Sequence, residues 1–364
     1  MIVYKRVVVL FWFFFIFSII NLSIYSFSEK SSILFPFYTY TSVFLFTLGF
    51  LTLRPAKFRG RVITSKNRKL TFILIVVFSI TGSILNLYRA TNFEGIDTYI
   101  QTTLLKNADT NLREFYELSS EDGGIKGYLK ILGNLNIVAF IISVYYYSFS
   151  KDKLRIWLLF FTFFSMFFRA IFTLEMTTIL LMMICFIYLP KKISVLSLLF
   201  FALVLYQTLN IIVLGRDNSS DPFQMIYGYY KLSFVNLDIL IRSYDNFDFG
   251  KSTFLNPIFF ILEFWGVNPH YSPFQWVDNP AQNLFGNTFL NFQWFGVFEF
   301  FVYGIVLKWM FNNFKLAGNF SFAFPYAVVF SATILTVPNF KGIDFWFIVS
   351  SGLLLTNLFY CEHE

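Results

Sequence analysis

Residues 70–88 read LTFILIVVFSITGSILNLY, nineteen positions without a charged side chain, and they follow residues 54–69, RPAKFRGRVITSKNRK, which hold seven cations and no acid. The hydrocarbon core of a bilayer is about 30 Å thick and takes about 20 helical residues. The first stretch is therefore long and apolar enough to cross a membrane as one helix. Lys and Arg collect on the cytoplasmic side of such spans, which sets the second stretch on the inside. Each outward step along the chain repeats this alternation of apolar run and polar connection.

By the same measure spans are expected at about 7–25, 33–53, 70–88, 130–149, 154–169, 173–189, 193–214, 287–311, 322–338 and 343–360. The expected fold class is accordingly all-α: a polytopic integral membrane protein of about ten transmembrane helices forming a single domain over 1–364. Arg169 and Glu175 mark the tight turn dividing the fifth span from the sixth. Lys151, Lys153 and Arg155 follow the fourth span and fix a second inner loop, and Lys5, Arg6, Lys191, Lys192, Lys308 and Lys315 fall on that same side. Both termini are thus expected in the cytoplasm. The first apolar run, Val7 to Ile24, exceeds the roughly 7–15 residues of a signal-peptide core, so no cleaved leader is expected.

The composition agrees, with 57% hydrophobic and 13% charged residues and a mean hydropathy of +0.62, against roughly 25% charged residues in soluble domains. The net charge of +7 would suggest nucleic acid in a soluble protein, but the inner loops account for it. The acids gather in two outer loops. The first, about 89–129, spaces Ile100, Leu104, Ala108, Leu112 and Phe115 as one face of an amphipathic helix. The second, 215–286, holds Arg216, Asp217, Asp221, Arg242, Glu263, His270 and Asp278. Within it Asp221-Pro222 is a helix start, followed by an apolar stripe through Phe234, Leu237 and Ile241. A re-entrant or interfacial helix is expected from Asn256 to about Gly266, too short to span. The proline-broken run 268–280 must line a cavity or lie buried in protein if it sits at membrane depth.

Several chemistries are excluded by what is absent. The chain has no phosphate-binding loop, zinc-protease signature, cysteine cluster or nucleophile elbow. With His270 and His363 as the whole histidine complement, no metal site and no cofactor are expected. Mid-membrane positions are nearly all apolar, Glu299 being the main exception, and no paired broken helices of the transporter kind are foreseen. Cys185 within a span and Cys361 in the tail are not expected to form a disulfide.

In this architecture, in the turn Phe168-Arg169-Ala170, in Leu214-Gly215-Arg216 leading to Gly228, and in the loop exit Asn283 to Val297, the chain resembles the Wzy-type oligosaccharide repeat-unit polymerases, which include the O-antigen polymerases. The resemblance implies a metal-independent, GT-C-like membrane glycosyltransferase in a bacterial inner membrane, its active site facing the periplasm. It would move a glycan from undecaprenyl pyrophosphate onto a second lipid-linked repeat unit, with a chain-length regulator as partner. An O-antigen ligase has the same donor and a similar architecture, and a lipid-linked oligosaccharide flippase is the rival outside enzymology.

Such a reaction needs cations for the departing pyrophosphate and a base at the acceptor hydroxyl. Arg169 and Arg216, at expected outer helix ends, lead for the first role because guanidinium grips phosphate in bidentate fashion. Arg242 and Lys341 follow. The competing reading of both leading arginines is an interfacial residue paired with an acid, Arg169 with Glu175 or Arg216 with Asp217. For the base, His270 and Asp278 stand level and Glu263 is third. Tyr271, Phe274, Trp276 and Trp294 are candidates to stack on sugar faces, against membership of an aromatic interface belt.

Overall fold

The computed structural model describes residues 34–53, 61–90, 132–173, 178, 181–182, 184–185, 234–243, 262, 284–313, 324–329 and 343–363. These residues are predominantly helical. In chain order they form α1 (Leu34–Thr52), β1 (Arg61–Ser65), α2 (Arg68–Ala90), α3 (Leu135–Phe149), α4 (Leu154–Thr173), α5 (Leu284–Phe292), a 3₁₀ turn (Gln293–Gly296), α6 (Val297–Asn313), α7 (Ile343–Leu358) and β2 (Phe359–His363). Residues 234–243 and 324–329 add two short helical segments. The expected spans at 7–25 and 193–214, the outer loop beyond Ala90, and most of the loop 215–286 lie outside the described residues.

The centre of the bundle is α3. It is apolar on all sides, and every residue from Asn136 to Tyr146 is buried, as a helix hydrophobic all round must be. Helices α2, α4 and α7 pack around it. At the α2–α3 contact a side chain on Gly82 would put its Cβ 2.8 Å from the Asn136 backbone nitrogen, so only glycine permits the approach. By contrast α2 and α4 turn apolar faces outward. Trp157, 73% exposed, Phe160, Phe164 and Phe168 form a stripe on α4, and Ile73, Val77, Ile80 and Ile84 form one on α2. Among the described residues two stretches, Arg68–Tyr88 and Leu284–Met310, have the length and apolar composition to cross a membrane, though the second is bent back on itself.

One end of the bundle is fastened by a small sheet that the all-helical expectation lacked. β1 and β2 pair antiparallel, from Arg61 opposite His363 to Ser65 opposite Phe359. The last helix consequently stops at Leu358 rather than 360. The Lys66 amide donates to the Leu358 carbonyl at 2.8 Å and its Nζ to the Thr356 carbonyl at 2.9 Å, a cation placed where a helix C-terminus is negative. Two helix starts at this end carry side-chain caps: Asn67 Oδ1 accepts from the Leu70 amide at 3.0 Å, and Asp152 Oδ1 from the Leu154 amide at 3.1 Å. Asp152 Oδ2 also accepts from the Tyr146 hydroxyl at 2.8 Å and pairs with Arg68 Nε at 2.9 Å.

Two expected spans need correction. The helix begun at Leu154 runs through Arg169 to Thr173, since Ala170, Ile171 and Phe172 include no breaker, so Arg169 is inside α4 and not at a turn. The span expected at 287–311 is not one continuous helix. Phe285 stacks on Phe300 with ring centroids 5.1 Å apart, although fifteen residues of straight helix would cover roughly 22 Å. α5 therefore folds back along α6 through the 3₁₀ turn, where Gln293 takes a left-handed φ of 50°. Gly296 makes the fold-back possible, because a Cβ there would collide with the Thr288 carbonyl and sit 2.5 Å from the Tyr38 hydroxyl oxygen.

α6 then runs beside α1 in the same direction. The two backbones meet at Gly49 and Gly304, where a Cβ on either would overlap a carbonyl oxygen of the other helix, Phe301 and Phe46 respectively. Small residues at helix crossings allow this close packing. Gly304→Leu is expected to lower the melting temperature of the detergent-purified protein, overpacking costing about 1–3 kcal/mol or more. An unchanged melt would mean the two backbones are not in contact.

Burial works against the charged form of Asp152, but the hydrogen bonds from Tyr146 and Leu154 and the cations Arg68 and Arg155 outweigh it and hold the carboxyl below its ordinary value. Its stabilising contribution is therefore present above the ordinary carboxylate range, near pH 4, and disappears as pH falls through the lowered value. Asp152→Asn is expected to reduce thermal stability at pH 7 and to differ less from wild type as the medium is acidified below pH 4, read from melting curves over that range.

Candidate functional site

The sheet marks one end of the bundle, and chain direction places Asn86 and Arg169 toward the other. α2 and α4 both start at the sheet end, and Asn86 and Arg169 lie near their far ends. α1 carries Tyr38 in its first turns. α6 is parallel to α1, which brings the fold-back and Glu299 level with Tyr38.

The first polar group is built around Arg169, only 3% exposed. Its guanidinium donates to Asn86 Oδ1 at 3.2 Å, to the Gly133 carbonyl at 3.3 Å and to Thr178 Oγ1 at 3.3 Å. Asn86 is fixed in turn, its amide donating to the Gly82 and Gly133 carbonyls, each at 2.7 Å. One turn deeper, the Ser83 and Ser165 hydroxyls lie 3.0 Å apart, and Ser165 donates to the Ser79 carbonyl. Arg169 is thus a buried tie between α2, the start of α3, α4 and the helical residue Thr178, where the sequence suggested an interfacial side chain. This arrangement holds a charge near the ends of α2 and α4 away from the sheet in a fixed orientation.

The second group surrounds the fold-back. Glu299, half-buried, accepts from the Tyr303 hydroxyl at 2.7 Å and from the Asn291 amide at 3.2 and 3.4 Å. On the α1 side the Tyr38 and Thr288 hydroxyls are 2.9 Å apart. Tyr38 meets the rings of Phe289 and Trp294 edge-on at 5.3 and 5.8 Å. Phe234, Leu237 and Leu240 of the helical segment 234–243 pack with Tyr38, Phe289 and Leu290, so the stripe expected along that helix does bury Phe234 and Leu237. Trp294 and Phe295 remain exposed at the turn.

The expected site residues divide accordingly. Arg169 and Trp294 belong to these two groups. Arg242 sits on the segment 234–243, half exposed, and forms an ion pair with Asp238 one turn earlier, the favourable order of acid before base on a helix. Arg216, Glu263, His270, Tyr271, Phe274, Trp276, Asp278 and Lys341 lie outside the described residues. Sequence reasoning singled out Glu299 only as a charge out of place, and it missed Asn291, Tyr303, Tyr38 and Thr288. Among the described residues no group of three His, Cys, Asp or Glu side chains could hold a metal ion. No protein-family model, curated protein or solved structure matches the chain.

Arg169→Lys tests the tie. An ammonium cannot reproduce the planar fork, and unmet buried acceptors cost about 1–3 kcal/mol. A clear drop in melting temperature is expected for the purified protein, and retention of the wild-type melt would show that the guanidinium is not what binds these helices.

Proposed function

We infer that the chain is a multi-pass membrane glycosyltransferase of about ten spans that polymerises undecaprenyl-pyrophosphate-linked oligosaccharide repeat units. The reaction takes place at the outer face of a bacterial inner membrane and needs no metal. The observation that carries this reading is the presence of two polar groups within an otherwise apolar bundle: Arg169 with Asn86, and Glu299 with Asn291 and Tyr303. The outward apolar faces of α2 and α4 suit lipid contact. A two-substrate transfer between lipid-anchored glycans asks for such a layout, with cations for the pyrophosphate, a base for the acceptor and lipid access from the side.

In this reading Arg216 bears on the pyrophosphate, with Arg242 and Lys341 as further cations, and the loop 215–286 covers the site, while Arg169, expected from the sequence to share that role, is enclosed and instead ties the helices that frame it. His270, Asp278 and Glu263 are its candidate bases and Tyr271 and Trp276 its sugar platforms. A chain-length regulator is the expected protein partner. One observation favours the flippase alternative: a helix interrupted at the membrane with a carboxylate beside the break is a feature of transporters.

Deletion of the gene, with gel analysis of the surface glycan and the lipid-linked pool, separates the readings. A ladder collapsed to core carrying one repeat unit is expected. Long glycan left on undecaprenyl pyrophosphate with a bare core would mean a ligase, and unpolymerised units trapped inside a flippase. In the complemented strain Arg216→Ala is expected to abolish polymer while the protein still accumulates, and near-normal polymer would remove Arg216 from the site.

A further inference from the structure

The geometry points to Glu299, at the fold-back of α5 on α6, as the group that receives the acceptor sugar and takes its hydroxyl proton. This deepens the glycosyl-transfer reading, rests on it, and assigns the base to the bundle in place of the loop candidates His270, Asp278 and Glu263. An ionised carboxylate has about four acceptor positions, and Tyr303 and Asn291 are the donors that occupy part of them. Among the described residues no cation forms an ion pair with Glu299. Holding a carboxylate half-buried beside apolar helices costs stability unless it is paired or fully hydrogen-bonded, and the two donors leave acceptor positions of Glu299 open.

The surroundings suit a saccharide. Trp294, 38% exposed, stands against Tyr38 and Phe289 in the turn that joins the Asn291 arm to the Glu299 arm, so the same fold-back carries an aromatic ring, a carboxylate and an amide. Sugars present this same pairing of an apolar ring face with hydroxyl donors. Tyr303 and Asn291 come from opposite arms of the fold-back and fix the carboxylate between them. The step balances. The acceptor oxygen forms a bond to the anomeric carbon of the donor glycan, and the bond from that carbon to the pyrophosphate oxygen breaks. Its electron pair leaves on undecaprenyl pyrophosphate, and the acceptor hydroxyl proton passes to Glu299 and then to water.

The test uses the full-length protein in lipid vesicles, with lipid-linked oligosaccharide extracted from membranes of the deletion strain. Glu299→Gln is expected to lower kcat about 100-fold or more, the usual range for loss of a general base, with the melting temperature held near wild type. Glu299→Asp, which keeps the carboxylate one methylene shorter, is expected to fall between the two. A kcat for the Gln variant within about threefold of wild type overturns the role of Glu299, because a working base contributes at least about a hundredfold. Should the Gln variant fail to accumulate, the Asp variant decides: a reduced kcat at an unchanged melt supports the role, and a wild-type kcat ends it. Absence of polymer from wild-type protein supplied with these units overturns the polymerase reading and Glu299 with it, a result distinguishable from an active wild type beside an active Gln variant.

Discussion

Backbone contact between α1 and α6 at Gly49 and Gly304 is the constraint on which the fold-back of α5 depends. The crossing presses the two helices together without intervening side chains and aligns them in parallel. Tyr38 on α1 thereby comes level with the turn that precedes α6. Its hydroxyl meets Thr288, its ring meets Phe289 and Trp294, and the fold-back gains a wall it could not have alone. With bulkier residues at the two glycines the helices would separate, and α5 would lose the surface that keeps it doubled against α6.

The two polar groups are held by different means. Arg169 is enclosed among α2, α4 and the start of α3 and satisfied by oxygen acceptors of neighbouring helices, a mode suited to low-dielectric surroundings. Glu299 sits at the edge of a turn with exposed aromatics beside it. One is a fixed charge within the scaffold and the other a charge at a boundary.

How much of this was legible in the sequence follows from the kind of signal each feature leaves. α1 and α2 were readable to within two residues, because uninterrupted apolar runs between charges have few alternatives. The fold-back was not, because residues 284–310 are apolar on both sides of the bend and hydropathy carries no information about direction. The Gly296 that enables it looks like any other glycine in a span. Arg169 was placed at a turn since charges favour membrane interfaces, while Asn86 and Gly133, which accept its hydrogen bonds, are far away in the chain. The β-branched Val62-Ile63-Thr64 did carry a strand signal, but five residues are too few to declare a strand without a partner. Of the candidate site, the cations and aromatics were visible as residue types, whereas the Glu299, Asn291 and Tyr303 grouping exists only once α5 has doubled back.

The β1–β2 pairing has a bearing on how the protein is made. Arg61 and His363 are neighbours in space and roughly three hundred residues apart along the chain, a strongly non-local contact. During synthesis β1 emerges early and its backbone groups have no strand beside them until residues 359–363 arrive. Most of the helices are therefore synthesised before the sheet can close, so the pairing acts as a late latch on the bundle. A chain halted before that point would leave an open strand edge at the basic end of the molecule, the kind of edge that recruits other chains.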